Sequence, residues 1–523
     1  MPCRFVALAL ALAWSIVVGS WAHAGQEAPS PGRAAGAAPS QRDPLEGLDG
    51  AIEAAMKRWE IPGLAIAVVK DDRVVYARGF GVRELGKPQK VTDKTFFAVA
   101  SQSKAFTASA LGLLVAEGKL KWDDPATKYL PWFRMSDPYA SRELTVRDLL
   151  CHRCGLGTWQ GDLMWYGSDL SRREVLDRVQ FLQPESSFRS RYGYCNLTFV
   201  AAGEIIPAIA GVTWEEFLRR RFFEPMGMSR TSTEIGEVER RDDVARPHTI
   251  VKGKVVPIAY RSTRNTAPAG AINSCVRDWA QWIRLQINEG TLDGRRIVPA
   301  EIIRETRTPQ TLVPVRPDGE RIPFSAYGLG WALREYEGRL VLAHGGGLDG
   351  MLSLSVIMPR EKLGVVVLTN YDEQEFYTAL PFRVIDAYLN VTPGDREEKL
   401  LKNRKERERR EREQEAKEKP RGGGRPSLEL AGYAGDYRHP VLGKASLSMK
   451  DGRLFIEIER NPGLRGELTH WQFDTFRVEW ADPYLRSSLI PFRLDERGKA
   501  DEFRMKVRPD FVDPMEYRFT RTP

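Results

Sequence analysis

The chain has 523 residues, of which 42 % are apolar and 28 % charged, a balance that excludes wholesale disorder and is too long for one ordinary domain. Its 78 basic and 70 acidic side chains leave a formal charge of +8, mild over this length and, without basic–aromatic interleaving, no argument for nucleic acid. After the first two dozen residues every long apolar stretch is broken by charges or glycines, which excludes a multi-pass membrane protein.

Residues 1–24 read as a secretory signal: Arg4, the apolar run 5–22 and the small-residue cut Ala22-His23-Ala24. The alternative is an uncleaved anchor, because the run just suffices for a thin bilayer. Either way the expected location is the periplasm or the outside of the cell. Residues 25–46, rich in Ala, Gly, Pro and Ser, read as a flexible linker. A mixed region follows over 47–391. It opens with an amphipathic helix at 51–59 and strands at 64–69 and 74–79, joined through Asp71-Asp72 as an antiparallel hairpin. Helical patterns occupy 101–118, 145–151, 171–181, 197–209, 213–222, 276–289 and 299–306, and strands at 339–343, 352–358 and 362–368 close the region. Strands at both ends with helices between predict an α/β domain of the α+β type. One antiparallel sheet is assembled from the two ends, and a helical lobe is inserted.

Residues 392–427 hold 13 basic and 9 acidic side chains and predict a solvated, charged helical linker stiffened by acid-first i,i+4 pairs such as Glu406–Arg410. This segment leaves room for peripheral contact with an envelope surface. Residues 428–523 alternate as strands do, at 447–449, 454–458, 476–480, 489–494, 503–507 and 515–519. They predict a small antiparallel β domain, a barrel or half-barrel, for packing, lid or partner binding.

Three short stretches carry reactive groups. Ser101-Gln102-Ser103-Lys104 opens an apolar helix. Positions i and i+3 share a face, so Lys104 can touch Ser101. A serine hydroxyl needs a neighbour to take its proton, and a desolvated lysine can do so. The Ser101 amide, at a helix start, can donate to an oxyanion. In Tyr194-Cys195-Asn196 the outer two residues project to one side of an extended run. Tyr194 near an ammonium would have its phenolate favoured and could take part in proton transfer, and Asn196 can orient a substrate amide. In His344-Gly345-Gly346-Gly347 the glycines, read as the link between two strands, admit a close ligand. The Gly347 N–H is a second candidate oxyanion donor, Gly345 and Gly346 candidate substrate contacts, and His344 a candidate catalytic group titrating near pH 6.5 that could meet a substrate carboxylate or aid proton transfer. Cys151-His152-Arg153-Cys154 has C-x-x-C spacing, open to a redox dithiol, a zinc half-site or two buried residues forming a tight disulfide.

These three stretches, 93 and 150 residues apart, resemble the serine β-lactamase and penicillin-binding-protein hydrolase family, its class C-like branch. Further stretches are similar to that branch: Ile61-Pro62-Gly63, Thr145 to Leu150 with His152, Pro225-Met226-Gly227-Met228, Pro268-Ala269-Gly270, and Tyr327-Gly328-Leu329-Gly330-Trp331. The tail resembles a β domain often found after such hydrolases. The resemblance implies a two-lobed domain with Ser101 acylated in the cleft. Lys104 and Tyr194 would share acid–base work, Ser101 and Gly347 would form the oxyanion hole, and no cofactor or metal is called for. Histidine replaces the third-motif lysine, which implies weaker reliance on a substrate carboxylate. The expected function is an exported serine hydrolase acting on esters or amides, D-amino-acid peptides included. The alternatives are a β-lactamase or D-alanyl-D-alanine carboxypeptidase, and a non-catalytic envelope protein of the same fold. The expected partner is a small-molecule or peptide substrate, with the oligomeric state left open.

Overall fold

At the first hairpin Asp71 and Asp72 both take positive φ, 50° and 63°, the geometry whose twist matches two antiparallel strands. The strands it joins, Gly63–Lys70 and Arg73–Gly81, begin an eight-stranded antiparallel sheet. The computed structural model describes residues 43–314, 324–392, 394–417, 420, 424–509 and 512–523. The signal reading at 1–24 and the linker up to residue 42 lie outside the described residues. The sheet runs in the order Arg73–Gly81, Gly63–Lys70, Leu363–Thr369, Met351–Met358, Arg339–Leu348, Ala332–Tyr336, Ser325–Tyr327, Thr311–Leu312. It is therefore built from both ends of the region, with the helical lobe between.

The central strands are covered on both faces. Met351–Met358 and Leu363–Thr369 are buried at every position. Alternate residues go to opposite cores, as the two-residue period of a strand requires. Ala65, Ala67 and Val69 join Trp279 and Ile283 of the helix Val276–Ile287, while Leu64, Ile66 and Val68 join the helices Leu48–Trp59 and Phe376–Leu389. In the helical lobe Ser103–Ala116 is buried from Ser103 to Leu114. Phe106 stacks on Trp282 at 3.9 Å and meets Phe222 and Phe223 edge-on. Among the described residues no single helix is long and apolar enough to cross a membrane.

The charged segment forms the helix Arg396–Lys417, and its first half is packed rather than solvated. Leu400 and Arg404 are buried, the Arg404 guanidinium lies over the Trp59 ring at 5.7 Å, and Glu397 accepts from Arg58 and Trp59. Long basic side chains bury their stems while their heads find carboxylates. The tail closes into an eight-stranded barrel, from Gly435–His439 to Tyr517–Arg521, each strand paired with the next and the last with the first. Its interior is aromatic, with Phe503 stacked on Phe519 at 4.7 Å. The barrel sits against the helical lobe: Arg460 pairs with Asp169 and Glu174, and Arg178 donates to the Val441 carbonyl at 3.0 Å.

Candidate active site

The chain enters the site through Val99 and Ala100. Ala100 is left-handed, at φ 48°, a conformation costing an alanine of order 1–3 kcal/mol unless its surroundings impose it. They do. The Ser103 hydroxyl donates to the Ala100 carbonyl at 2.7 Å and accepts from the Ile272 N–H at 3.0 Å. Ser353 donates to the Val99 carbonyl at 2.8 Å. The resulting 3₁₀ turn Ala100–Gln102 leaves Ser101 half-buried at the start of the helix Ser103–Ala116.

Lys104 is fully buried one turn on. Its Nζ lies 3.0 Å from Ser101 Oγ, 2.7 Å from Asn196 Oδ1 and 2.9 Å from the Ala269 carbonyl. Burial lowers its pKa to about 7, against a smaller opposing pull from Asp162. Near neutrality much of Lys104 is therefore an uncharged amine. Such an amine has two N–H groups, which the Asn196 and Ala269 oxygens can take, and one lone pair, which faces the serine hydroxyl.

The run carrying Tyr194 is fixed by its backbone. Gly193 N–H donates to the His152 carbonyl at 2.9 Å, Tyr194 N–H to Thr158 Oγ1 at 3.1 Å, and Cys195 N–H to His152 Nδ1 at 3.0 Å. Gly193 lies so close to the Leu156 carbonyl that an added Cβ would sit 2.0 Å from it. Asn196 then begins the helix Asn196–Ala210. The Tyr194 phenol lies beside the Ser101 side chain, and its ring faces Lys104 Nζ at 4.8 Å. Burial pushes Tyr194 well above the usual tyrosine pKa. The resting side chain is thus a neutral phenol and not the phenolate that an adjacent ammonium would favour.

The third stretch differs from the sequence expectation. His344-Gly345-Gly346-Gly347 is not a link between strands but the second half of one strand, Arg339–Leu348, with the turn at Asp349-Gly350. Gly346 is needed because the Val99 segment packs directly on it. A Cβ at Gly346 would lie 2.0 Å from the Val99 carbonyl and 2.6 Å from Ser353 Oγ. The neighbouring strand Ala332–Tyr336 pairs only as far as Ala343, so residues 344–348 outrun it beside the Ser101 turn. Gly347 is exposed there.

His344 does not supply a cation. It is 4 % exposed. Its Nδ1 is 2.6 Å from the Gly345 carbonyl, which can only accept, so Nε2 accepts from the Tyr327 hydroxyl at 2.8 Å. Burial, with Lys104 adding repulsion, lowers its pKa to about 3. At neutral pH the ring is uncharged and both nitrogens are engaged, so the expected titration near pH 6.5 is corrected.

Two further contributors have no site role assigned from the sequence, though His152 stands in a stretch similar to the family branch. Asp162, in the short turn Asp162–Met164, is 2 % exposed and accepts from Asn196 Nδ2 at 2.6 Å. This fixes which end of the amide faces Lys104. His152 packs its ring 4.3 Å from that of Tyr194; burial holds its pKa well below the ordinary value, and with Nδ1 accepting, Nε2 carries the proton. The stretch from Thr145 to Leu150 acts at one remove. Its Thr145–Asp148 capping box places a buried carboxylate that grips Arg153 at 2.7 Å and Arg189 at 2.6 Å on either side of the His152 loop.

Cys151 and Cys154 are free and buried. Cys151 Sγ faces the Asp148 carbonyl at 3.9 Å, while Cys154 makes its side-chain contact with Cys195. Among the described residues no group of three or more His, Cys, Asp or Glu could hold a metal ion.

A family model described as Beta-lactamase matches residues 48–389, and one described as Domain of unknown function (DUF3471) matches residues 419–521. Unguisins hydrolase ungD of Aspergillus violaceofuscus is 27 % identical over 461 residues, covering 80 % of each chain. Penicillin-binding protein 4 of Amycolatopsis lactamdurans is 27 % identical over 329 residues, 61 % of this chain and 83 % of its own. The solved structure of the octameric penicillin-binding protein homologue from Pyrococcus abyssi matches with a TM-score of 0.60 at 22 % identity, over 91 % of this chain and all of that one. That last likeness speaks for the fold alone.

Proposed function

The chain belongs to the beta-lactamase family over residues 48–389, and from that premise we propose that it is a serine hydrolase that cleaves ester or amide bonds through an acyl-enzyme on Ser101. The observation that carries this reading is the cradle around Lys104. Two fixed oxygens hold the amine while its third contact, at 3.0 Å, is Ser101 Oγ.

In the proposed cycle Ser101 Oγ attacks the acyl carbon as its proton passes to Lys104 Nζ. The negative charge that develops on the carbonyl oxygen is met by the N–H groups of Ser101 and Gly347. Tyr194, a neutral phenol beside Ser101 Oγ, gives its proton to the departing alcohol or amine and is reprotonated from Lys104. Water then enters along the same route in reverse and releases the acid. Asn196 borders the acyl side, whereas Gly345 and Gly346, candidates by sequence, are buried and Gly346 is covered by Val99. The uncharged His344 supports substrates that bring no carboxylate to that point, so uncharged esters and peptide amides come before penicillins. D-Amino-acid-containing peptides are the first peptide class to try. The names of the relatives, an unguisins hydrolase and a penicillin-binding protein, support acyl transfer without choosing among these. Export rests on the reading of residues 1–24.

The test is intact mass after exposure to a fluorophosphonate, followed by a panel of esters, D-amino-acid amides and cephalosporins. One adduct on Ser101, lost in a folded Ser101→Ala variant, is the expected result. Full labelling or turnover by Ser101→Ala rejects the assignment.

A further inference from the structure

We propose that Asp513, a residue of the C-terminal barrel domain, is a positioning residue for the Ser101–Lys104 pair. It acts through the turn that carries Asp162. This rests on the reading of Ser101 as nucleophile and Lys104 as base.

Asp513 is fully buried where the barrel meets the helical lobe. Its Oδ2 accepts from the Leu163 N–H at 2.9 Å, 350 residues away in sequence, and from the Tyr517 hydroxyl at 2.5 Å. Its Oδ1 accepts from the Met515 N–H at 2.9 Å, and the Gly161 amide faces the same carboxylate. One carboxylate thus holds the backbone just after Asp162 and faces it just before. That turn, Asp162–Met164, has no side-chain cap of its own, and Gly161 before it is left-handed at φ 81°. Without Asp513 the Leu163 amide would be orphaned in a buried place. From Asp162 the chain of contacts is short: Asn196 Nδ2 at 2.6 Å, then Asn196 Oδ1 to Lys104 Nζ at 2.7 Å, then Ser101 Oγ at 3.0 Å.

The barrel holds the rest of this segment as well. Asn461 donates to the Tyr166 carbonyl at 2.8 Å. The Arg261 guanidinium lies 3.9 Å over the Tyr166 ring and joins Asp349 to Asp482 of the barrel. Those contacts fasten the domain. Asp513 differs because its partners flank a residue hydrogen-bonded to the lysine's own amide partner. A small β domain that only packs has no need of a buried carboxylate at that point.

The experiment uses the full chain and follows fluorophosphonate labelling of Ser101, in which Oγ displaces fluoride from phosphorus, against pH in the parent, Asp513→Ala, Asp513→Asn and Ser488→Ala. Ser488 accepts from Trp480 at 2.9 Å inside the barrel and controls for general loosening of that domain. Asp513→Ala is expected to slow labelling roughly tenfold or more, the scale of a small misplacement of reacting groups. Asp513→Asn should fall between it and the parent, because one oxygen still accepts from Leu163 while its amide group faces donors. In Asp513→Asn the midpoint of the rate against pH should move upward. Asp162 is faced by Trp165, Asn196, Cys195 and Asp513; relieved of its neighbouring carboxylate it ionises more readily and favours the Lys104 ammonium. Ser488→Ala should leave rate and midpoint unchanged. Parent-like rate and midpoint in Asp513→Ala, or an equal loss in Ser488→Ala, overturns the proposal. If Asp513→Ala does not fold, a folded Asp513→Asn with parent-like rate and midpoint overturns it. An unlabelled parent instead sinks the reading of Ser101 and Lys104 beneath it.

Discussion

Replacing Lys104 by arginine keeps a positive charge and a long side chain but removes the ability to lose a proton, since a guanidinium stays charged at any ordinary pH. In the native chain burial brings Lys104 to about 7. Against an ordinary lysine this amounts to roughly 5 kcal/mol disfavouring the ammonium form. The neutral fraction then climbs from roughly a tenth at about pH 6 to roughly nine-tenths at about pH 8. Acylation of Ser101 by a neutral activated ester, read as the first-order burst under single-turnover conditions, should rise about tenfold across that window and then level off. The sign follows from the chemistry: the unprotonated amine is the base, so rate is lost as pH falls through the folded pKa. An unshifted lysine would give a rate still climbing nearly tenfold per pH unit up to about pH 9. Lys104→Arg should lose about 10²–10⁴ in the burst rate with the fold retained. A rate independent of pH between about pH 6 and 8, or a folded Lys104→Arg that acylates at the parent rate, refutes the assignment of the base.

Two further substitutions test the scaffold. Asp148→Ala leaves two guanidiniums without the buried carboxylate they share and should cost about 3 kcal/mol, the low end for a broken buried pair because Arg153 and Arg189 can reach water; an unchanged urea midpoint would contradict this. Gly346→Ala puts a Cβ 2.0 Å from the Val99 carbonyl; the segment entering Ser101 must shift, and labelling should slow by roughly 10² in a chain that is still folded by circular dichroism, whereas parent-like labelling would mean the strand yields instead.

What the sequence made legible is local and periodic. Ser101 and Lys104 are three residues apart on a helix, and that spacing alone allows their contact. The sheet assembled from both ends of the region was readable because its long strands are rich in apolar and β-branched residues, as at 64–69 and 363–368. The short strands Thr311–Leu312, Ser325–Tyr327 and Ala332–Tyr336 carry too few residues for a period. In the tail, Gly435–His439 and Arg465–Gln472 turn many polar side chains to water and show no apolar alternation in the sequence. Phe376–Leu389 has Pro381 in its interior, which reads as a break. Three glycines in a row read as a loop for the same kind of reason. Composition reports that the backbone is free there, and not that the Val99 segment presses on it.

The remaining gap concerns charge. Sequence supplies the reference behaviour of each ionisable group, and on that basis His344 should titrate near neutrality and Tyr194 should lean toward phenolate. Both shifts in the folded chain run the other way, and burial is the largest cause of each. The same desolvation that keeps Tyr194 and His344 neutral frees Lys104 of its proton, so the three belong to one electrostatic condition: a pocket that favours uncharged forms. A substitution that admits water would therefore relax all three shifts together, with the change of charge at neutral pH falling on Lys104. Opening the wall at Phe199, whose ring lies 5.4 Å from Lys104 Nζ, should return the lysine toward its ordinary basicity and slow acylation at neutral pH without removing any group that handles a proton.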